Sequence, residues 1–125
     1  MRATLIALML ILASQASAED QYMDLYSDCL DKSGPTNNSG VFGCSRETEE
    51  NALEQIDLLL LDLKEALYDD YERNILMQGQ QAWENYIQIQ CKLEGTAIGS
   101  PMYAYCPMEK AIDRVKQLQR LLGEI

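Results

Sequence analysis

The sequence predicts an all-α protein, a small antiparallel bundle of about four helices stapled by two disulfides. Three observations lead there. Apolar residues recur in alternating steps of three and four along most of the chain, the period of a helix with one buried face. No segment alternates apolar and polar residues with period two, so strands are not expected. Four cysteines follow an export-type leader in a short chain, and that combination reads as two disulfides.

The leader is "MRATLIALMLILASQASAED". Arg2 supplies a short positive region, residues 3–13 are almost wholly apolar, and "ASA" at 16–18 places small residues where a signal peptidase reads them. Residues 1–18 are therefore expected to be a cleaved signal peptide, and residues 19–125 one small domain. The apolar run is too short for a comfortable membrane span. The first cysteine, Cys29, lies well beyond it, so no lipid-anchored form and no stable membrane anchor after cleavage are expected.

The elements follow in order. In "EDQYMDLYSDCL", Tyr22, Leu25, Tyr26 and Cys29 stand at helical spacing. From Glu47 to about Tyr68, Leu53, Ile56, Leu60, Leu63 and Leu67 form the stripe of a long amphipathic helix, and "LLLL" at 58–61 widens it enough to make this helix central. "YDDYE" interrupts that stripe, with Asp69 or Asp70 placed to cap a third helix running to about Leu93. On it Leu76, Gly79, Trp83, Tyr86 and Ile87 are expected to share one face, with Trp83 and Tyr86 as core aromatics. Pro107 suits the first turn of a last helix, whose buried stripe is Met108, Ile112, Val115, Leu118 and Leu122.

Cys29 and Cys44 are 15 residues apart, as are Cys91 and Cys106. The segments between them, "LDKSGPTNNSGVFG" and "KLEGTAIGSPMYAY", are rich in Gly, Ser and Pro. Each pair thus brackets a loop, and the pairing Cys29–Cys44 with Cys91–Cys106 follows. No C-x-x-C is present for redox work, and a chain without His and with oxidised thiols has no structural zinc set. "YDDYE" lacks the spacing and glycine of a calcium loop. No cofactor and no metal are expected.

An enzyme is not expected either. The commonest general base, His, is absent, and no serine sits in G-x-S-x-G. The carboxylate pairs Glu47 with Glu50 and Asp69 with Glu72 fall at helix starts, where they complement the helix dipole. Arg2 is the only charged residue in 1–18, so residues 19–125 carry 9 basic and 20 acidic side chains, net −11. Such a chain repels nucleic-acid phosphates and anionic lipid and attracts cationic proteins, more weakly as salt is added.

The order of these features resembles a known family. A signal peptide is followed by Y-x-x-C, a Gly-rich segment, Cys44 and a Leu-rich helix. Then come Gln80, Ala82, Trp83, Tyr86 and Cys91 as Q-x-A-W-x-x-Y-x-x-x-x-C, Gly99 and Ser100 as a "GS" turn, and Cys106 with an amphipathic tail. The chain is similar to the LprI-like secreted lysozyme inhibitors of bacteria. The resemblance implies an all-helical, disulfide-bonded domain in the periplasm or medium that binds and inhibits a cationic lysozyme. Two positions depart from it: Ile87 stands where Arg is common, and Gln90 where an acidic residue is common.

For a lysozyme inhibitor, the stapled stretch "EGTAIGSPMYAYC" is the expected contact, through Met102, Tyr103 and Tyr105, with Asp69, Asp70 and Glu72 steering the encounter. The stretch around Phe42 is the rival contact. A structural or accessory protein binding another envelope component is the alternative function.

Overall fold

The computed structural model describes residues 18–34 and 37–125, with side chains from Gln21 onward. The expected signal segment lies outside them, save for the backbone of Ala18. Four helices make up the fold: α1 (Ala18–Ser33), α2 (Asn38–Ala66), α3 (Asp70–Ala97) and α4 (Met102–Glu124). No strand occurs among the described residues. Both predicted bridges are present, Cys29–Cys44 and Cys91–Cys106, with Cα atoms 5.6 and 5.4 Å apart.

α1 and α2 form one antiparallel hairpin, α3 and α4 another, each riveted beside its turn. Glu49 in α2 and Tyr103 and Pro107 at the start of α4 line one cleft, so α2 and α4 run in the same direction. Both bridges therefore lie at the same pole of the bundle, and the α2–α3 turn lies at the other. The largest interface is between α2 and α4. α3 packs against α4 and makes at most marginal contact with α1 and α2.

The core follows from these pairings. Ala52, Ile56, Leu59, Leu60 and Leu63 of α2 meet Met108, Ala111, Ile112, Val115 and Leu118 of α4, with Tyr26 and Leu76 added from α1 and α3. Each fully buried aliphatic here contributes roughly 1.5–3 kcal/mol from leaving water. The α4 stripe is as predicted, with Leu122 half-buried at its end. On α2 the stripe is shifted: Leu53 is exposed, and of the four consecutive leucines only Leu59 and Leu60 face inward.

Three expectations are corrected. The two cysteine-bracketed segments are mostly helix: among the described residues only Gly34, Asn37 and residues 98–101 lie outside one. α1 continues to Ser33 and Gly34 takes φ +85°, the left-handed conformation that ends many helices. α2 then starts at once, because Asn37 caps it: its side-chain oxygen accepts from the Gly40 N–H at 2.9 Å. α4 begins at Met102 rather than near Pro107, with Pro101 at the cap position, so Pro107 lies inside the helix. α3 likewise continues past Leu93 to Ala97.

Candidate functional site

The Q-x-A-W run forms a clamp between α3 and α4. Gln80, Trp83, Ile87 and Cys91 fall on the face of α3 that α4 covers. Gln80 is 5% exposed, and its carbonyl oxygen accepts from Arg114 Nε at 3.0 Å. The Arg114 guanidinium lies over the Trp83 ring, 5.8 Å from its centroid, and its Nη1 donates to Gln117 Oε1 at 3.3 Å. Burial holds the Arg114 pKa below the ordinary guanidinium value. A cation over a partly desolvated indole contributes about 0.5–2 kcal/mol, so the clamp ties the helices together. Sequence reasoning missed Arg114. Its only signal is a cation on the flank of an apolar stripe, a place Lys116 shares on the other side of Val115.

Trp83 is half-buried, packed against both the main core and the small cluster around the second bridge. Tyr86 is corrected outright: it is 53% exposed, and its neighbour Ile87 takes the core position at 9%. The expected face combined two faces of the helix, and α4 covers only one. Ile87 is therefore packing beside Cys91 and Cys106, and Gln90 donates to Glu94 Oε2 at 3.2 Å. Both departures from the family pattern have local structural employment.

At the stapled pole, Met102 is half-buried against the Cys91–Cys106 bridge. Tyr105 meets Tyr26 edge-on, with ring centroids 5.6 Å apart. Burial raises the Tyr105 pKa, and the nearby Glu109 and Tyr26 push the same way. Tyr103 is different: it is 47% exposed. Its hydroxyl is 3.0 Å from Thr96 Oγ1, and its ring lies over Gly95, where any Cβ would collide with it. The three residues stand on the first turns of α4, not on a projecting loop. Only Tyr103 offers a ring to solvent. Beside it is an open cleft of about 320 Å³ lined by Glu49, Ile87, Cys91, Lys92, Tyr103 and Pro107. Burial raises the Glu49 pKa, partly offset by Arg46 and reinforced by Glu50. Phe42 is half-buried with Arg46 over its ring at 6.0 Å.

The acidic trio sits at the opposite pole, one length of α3 away. Asp69 caps α3 by accepting from the Glu72 N–H at 2.9 Å, and Glu72 accepts from the Tyr68 N–H at 2.9 Å. Asp70 pairs with Arg73 at 3.1 Å. The structure thus does not bring Asp69, Asp70 and Glu72 together with Met102, Tyr103 and Tyr105. Among the described residues no group of three His, Cys, Asp or Glu side chains could hold a metal ion, and no helix is long and apolar enough to cross a membrane.

No protein-family model, curated protein or solved structure matches the chain.

Proposed function

We propose that the chain is an exported binding protein without catalytic activity that inhibits a cationic lysozyme. The protein is disulfide-bonded, and paired structural cysteines belong to an oxidising, extracytoplasmic compartment. Periplasmic or secreted residence is the reading that fits the leader. The observation that supports binding is the geometry of the stapled pole. Tyr103 is exposed on the rigid first turns of α4, next to the cleft bordered by Glu49, in a protein of net charge −10. A bridge-fixed tyrosine loses little conformational freedom on docking. The surrounding negative charge accelerates encounter with a basic partner. The acidic corner at Asp69, Asp70 and Glu72 contributes to the long-range field rather than to the contact.

The test is lysis of bacterial cell walls by a basic lysozyme, with and without the oxidised chain, at low and moderate salt. Inhibition is expected at low salt and should weaken as salt rises. Tyr103→Ala, with native helicity confirmed by circular dichroism, should lose most of it. No inhibition at either salt rejects the lysozyme reading and leaves an accessory role at another envelope component. Full inhibition by Tyr103→Ala keeps the activity but moves the contact away from this pole.

A further inference from the structure

α3 carries a second apolar stripe that no other described residue covers. Ile75, Gly79, Ala82, Tyr86, Ile89 and Leu93 recur in steps of four and three, the seam spacing of a coiled coil. All six are exposed; Ile75, Tyr86, Ile89 and Leu93 are 49%, 53%, 73% and 58% accessible. The face that α4 covers carries Leu76, Gln80, Trp83, Ile87 and Cys91, and the stripe lies beside it, its Ile75–Gly79 end bordering an open groove shared with Arg120 and Leu121 of α4.

We propose that this stripe is the interface of a homodimer, in which α3 pairs antiparallel with α3 of a second copy about a two-fold axis level with Glu84. Residue sizes support that register. With the axis there, Ile75 meets the second copy's Leu93, Gly79 meets its Ile89, and Ala82 meets its Tyr86. Every small residue faces a large one, and the two ends close with aliphatic pairs, so the face is its own complement. A parallel pairing would set Gly79 on Gly79 and Ala82 on Ala82, leaving voids, and Tyr86 on Tyr86.

Two further observations favour a second copy over another partner. Between Asn74 and Cys91 the only charged residue is Glu84, in a chain that is 24% charged. Glu84 bonds toward Gln80 on the α4 side, away from the stripe. Along α3 the seam is thus poor in charge, and what borders its Ile75–Gly79 end is Arg114 and Arg120 of α4 rather than a carboxylate, so two copies of an acidic chain meet there with little repulsion. Gly79 is the second. No heavy atom lies within 4 Å of where its Cβ would be, and its φ is not positive, so neither packing nor backbone geometry within one chain requires glycine. Glycine inside a helix costs about 1 kcal/mol against alanine, and a neighbour's Ile89 supplies the missing reason. The stripe is about 27 Å long. Paired with its copy it would bury roughly 1,000–1,400 Å² in all, at the small end of specific interfaces.

Sedimentation of the disulfide-intact chain over a dilution series tests this. A dimer of twice the chain mass is expected at the highest concentrations. Ile89→Glu should sediment as a monomer throughout with unchanged helicity, since Ile89 touches no core. Two charge variants read the register. Ile75→Lys and Leu93→Glu should each dimerise poorly alone and recover as a mixture, because only the antiparallel register sets Lys against Glu. A monomeric wild type, or an Ile89→Glu chain that dimerises as well as wild type, overturns the interface. A mixture that does not recover overturns the antiparallel pairing.

Discussion

Trp83 and its neighbours show what a residue's identity does and does not determine. The tryptophan was expected in the core, and it lies at the core's edge. One side packs on Ile87 and the second bridge, and the Arg114 guanidinium covers the ring. Trp83→Ala should therefore cost about 2–3 kcal/mol, less than the ~3–5 of a fully enclosed aromatic, because part of the ring already meets water. The urea midpoint measures it, and an unchanged midpoint would show that the clamp contributes nothing. Ile87 is buried as expected, but that Tyr86 turns outward was not legible in the sequence. Adjacent helix residues point about 100° apart, and both the Tyr86 and the Ile87 series keep a helical period. Which series turns inward depends on where α4 lies, and that is a tertiary fact. Gln80 was legible only as part of a motif. Its role as acceptor for Arg114 links positions 34 residues apart.

Among the elements, the number and order of the helices were readable, as was the Asp69 cap that starts α3, whereas the starts of α2 and α4 and the end of α3 were not. The turns were overestimated because Gly, Ser and Asn favour loops in isolation. Here Asn37 works as a cap, and the bridge from Cys44 pins the first turns of α2 to α1, so residues 38–43 stay helical despite two glycines. The α2–α3 corner has no bridge and depends on polar capping at both helix ends. Asp69 satisfies the Glu72 N–H at the start of α3, and Glu72 satisfies the Tyr68 N–H in the turn before it. Arg73 reaches back to donate to the Leu67 carbonyl at 2.7 Å, at the end of α2, while pairing with Asp70. Asp69→Ala should cost about 1 kcal/mol, the usual loss of an N-cap. Amide hydrogen exchange should accelerate at residues 70–73 first and leave the stapled pole unchanged. Uniform acceleration across the protein would show that the corner has no local role.

The whole molecule carries its excess negative charge close to partly desolvated carboxylates. Burial raises the pKa of Glu49 and of Glu109, Lys110 offsets part of the Glu109 shift, and Glu94 and Asp113 add to it. Between those raised values and the ordinary carboxylate value of 4.5, the folded chain binds more protons than the unfolded one, so stability rises as pH falls. Relief of self-repulsion at net −10 has the same sign. The melting midpoint should therefore increase from neutral pH to about pH 5, and Glu49→Gln/Glu109→Gln should flatten the increase. A midpoint that falls over this range would contradict the assignment. At this scale the sequence showed the acidity and the two bridges. It could not show that both bridges share one pole, because that requires knowing that α2 and α4 run parallel.

The bridges join cysteines that are consecutive in the chain. Each native ring closes over 15 residues, whereas Cys44 to Cys91 would span 47. Loop-closure entropy alone favours each native ring over that rival by about 1 kcal/mol. A chain emerging amino-terminus first can seal Cys29 to Cys44 before Cys91 appears, and Cys106 then finds Cys91 as the one thiol left. Oxidation can proceed in order of synthesis, with no wrong bridge to undo.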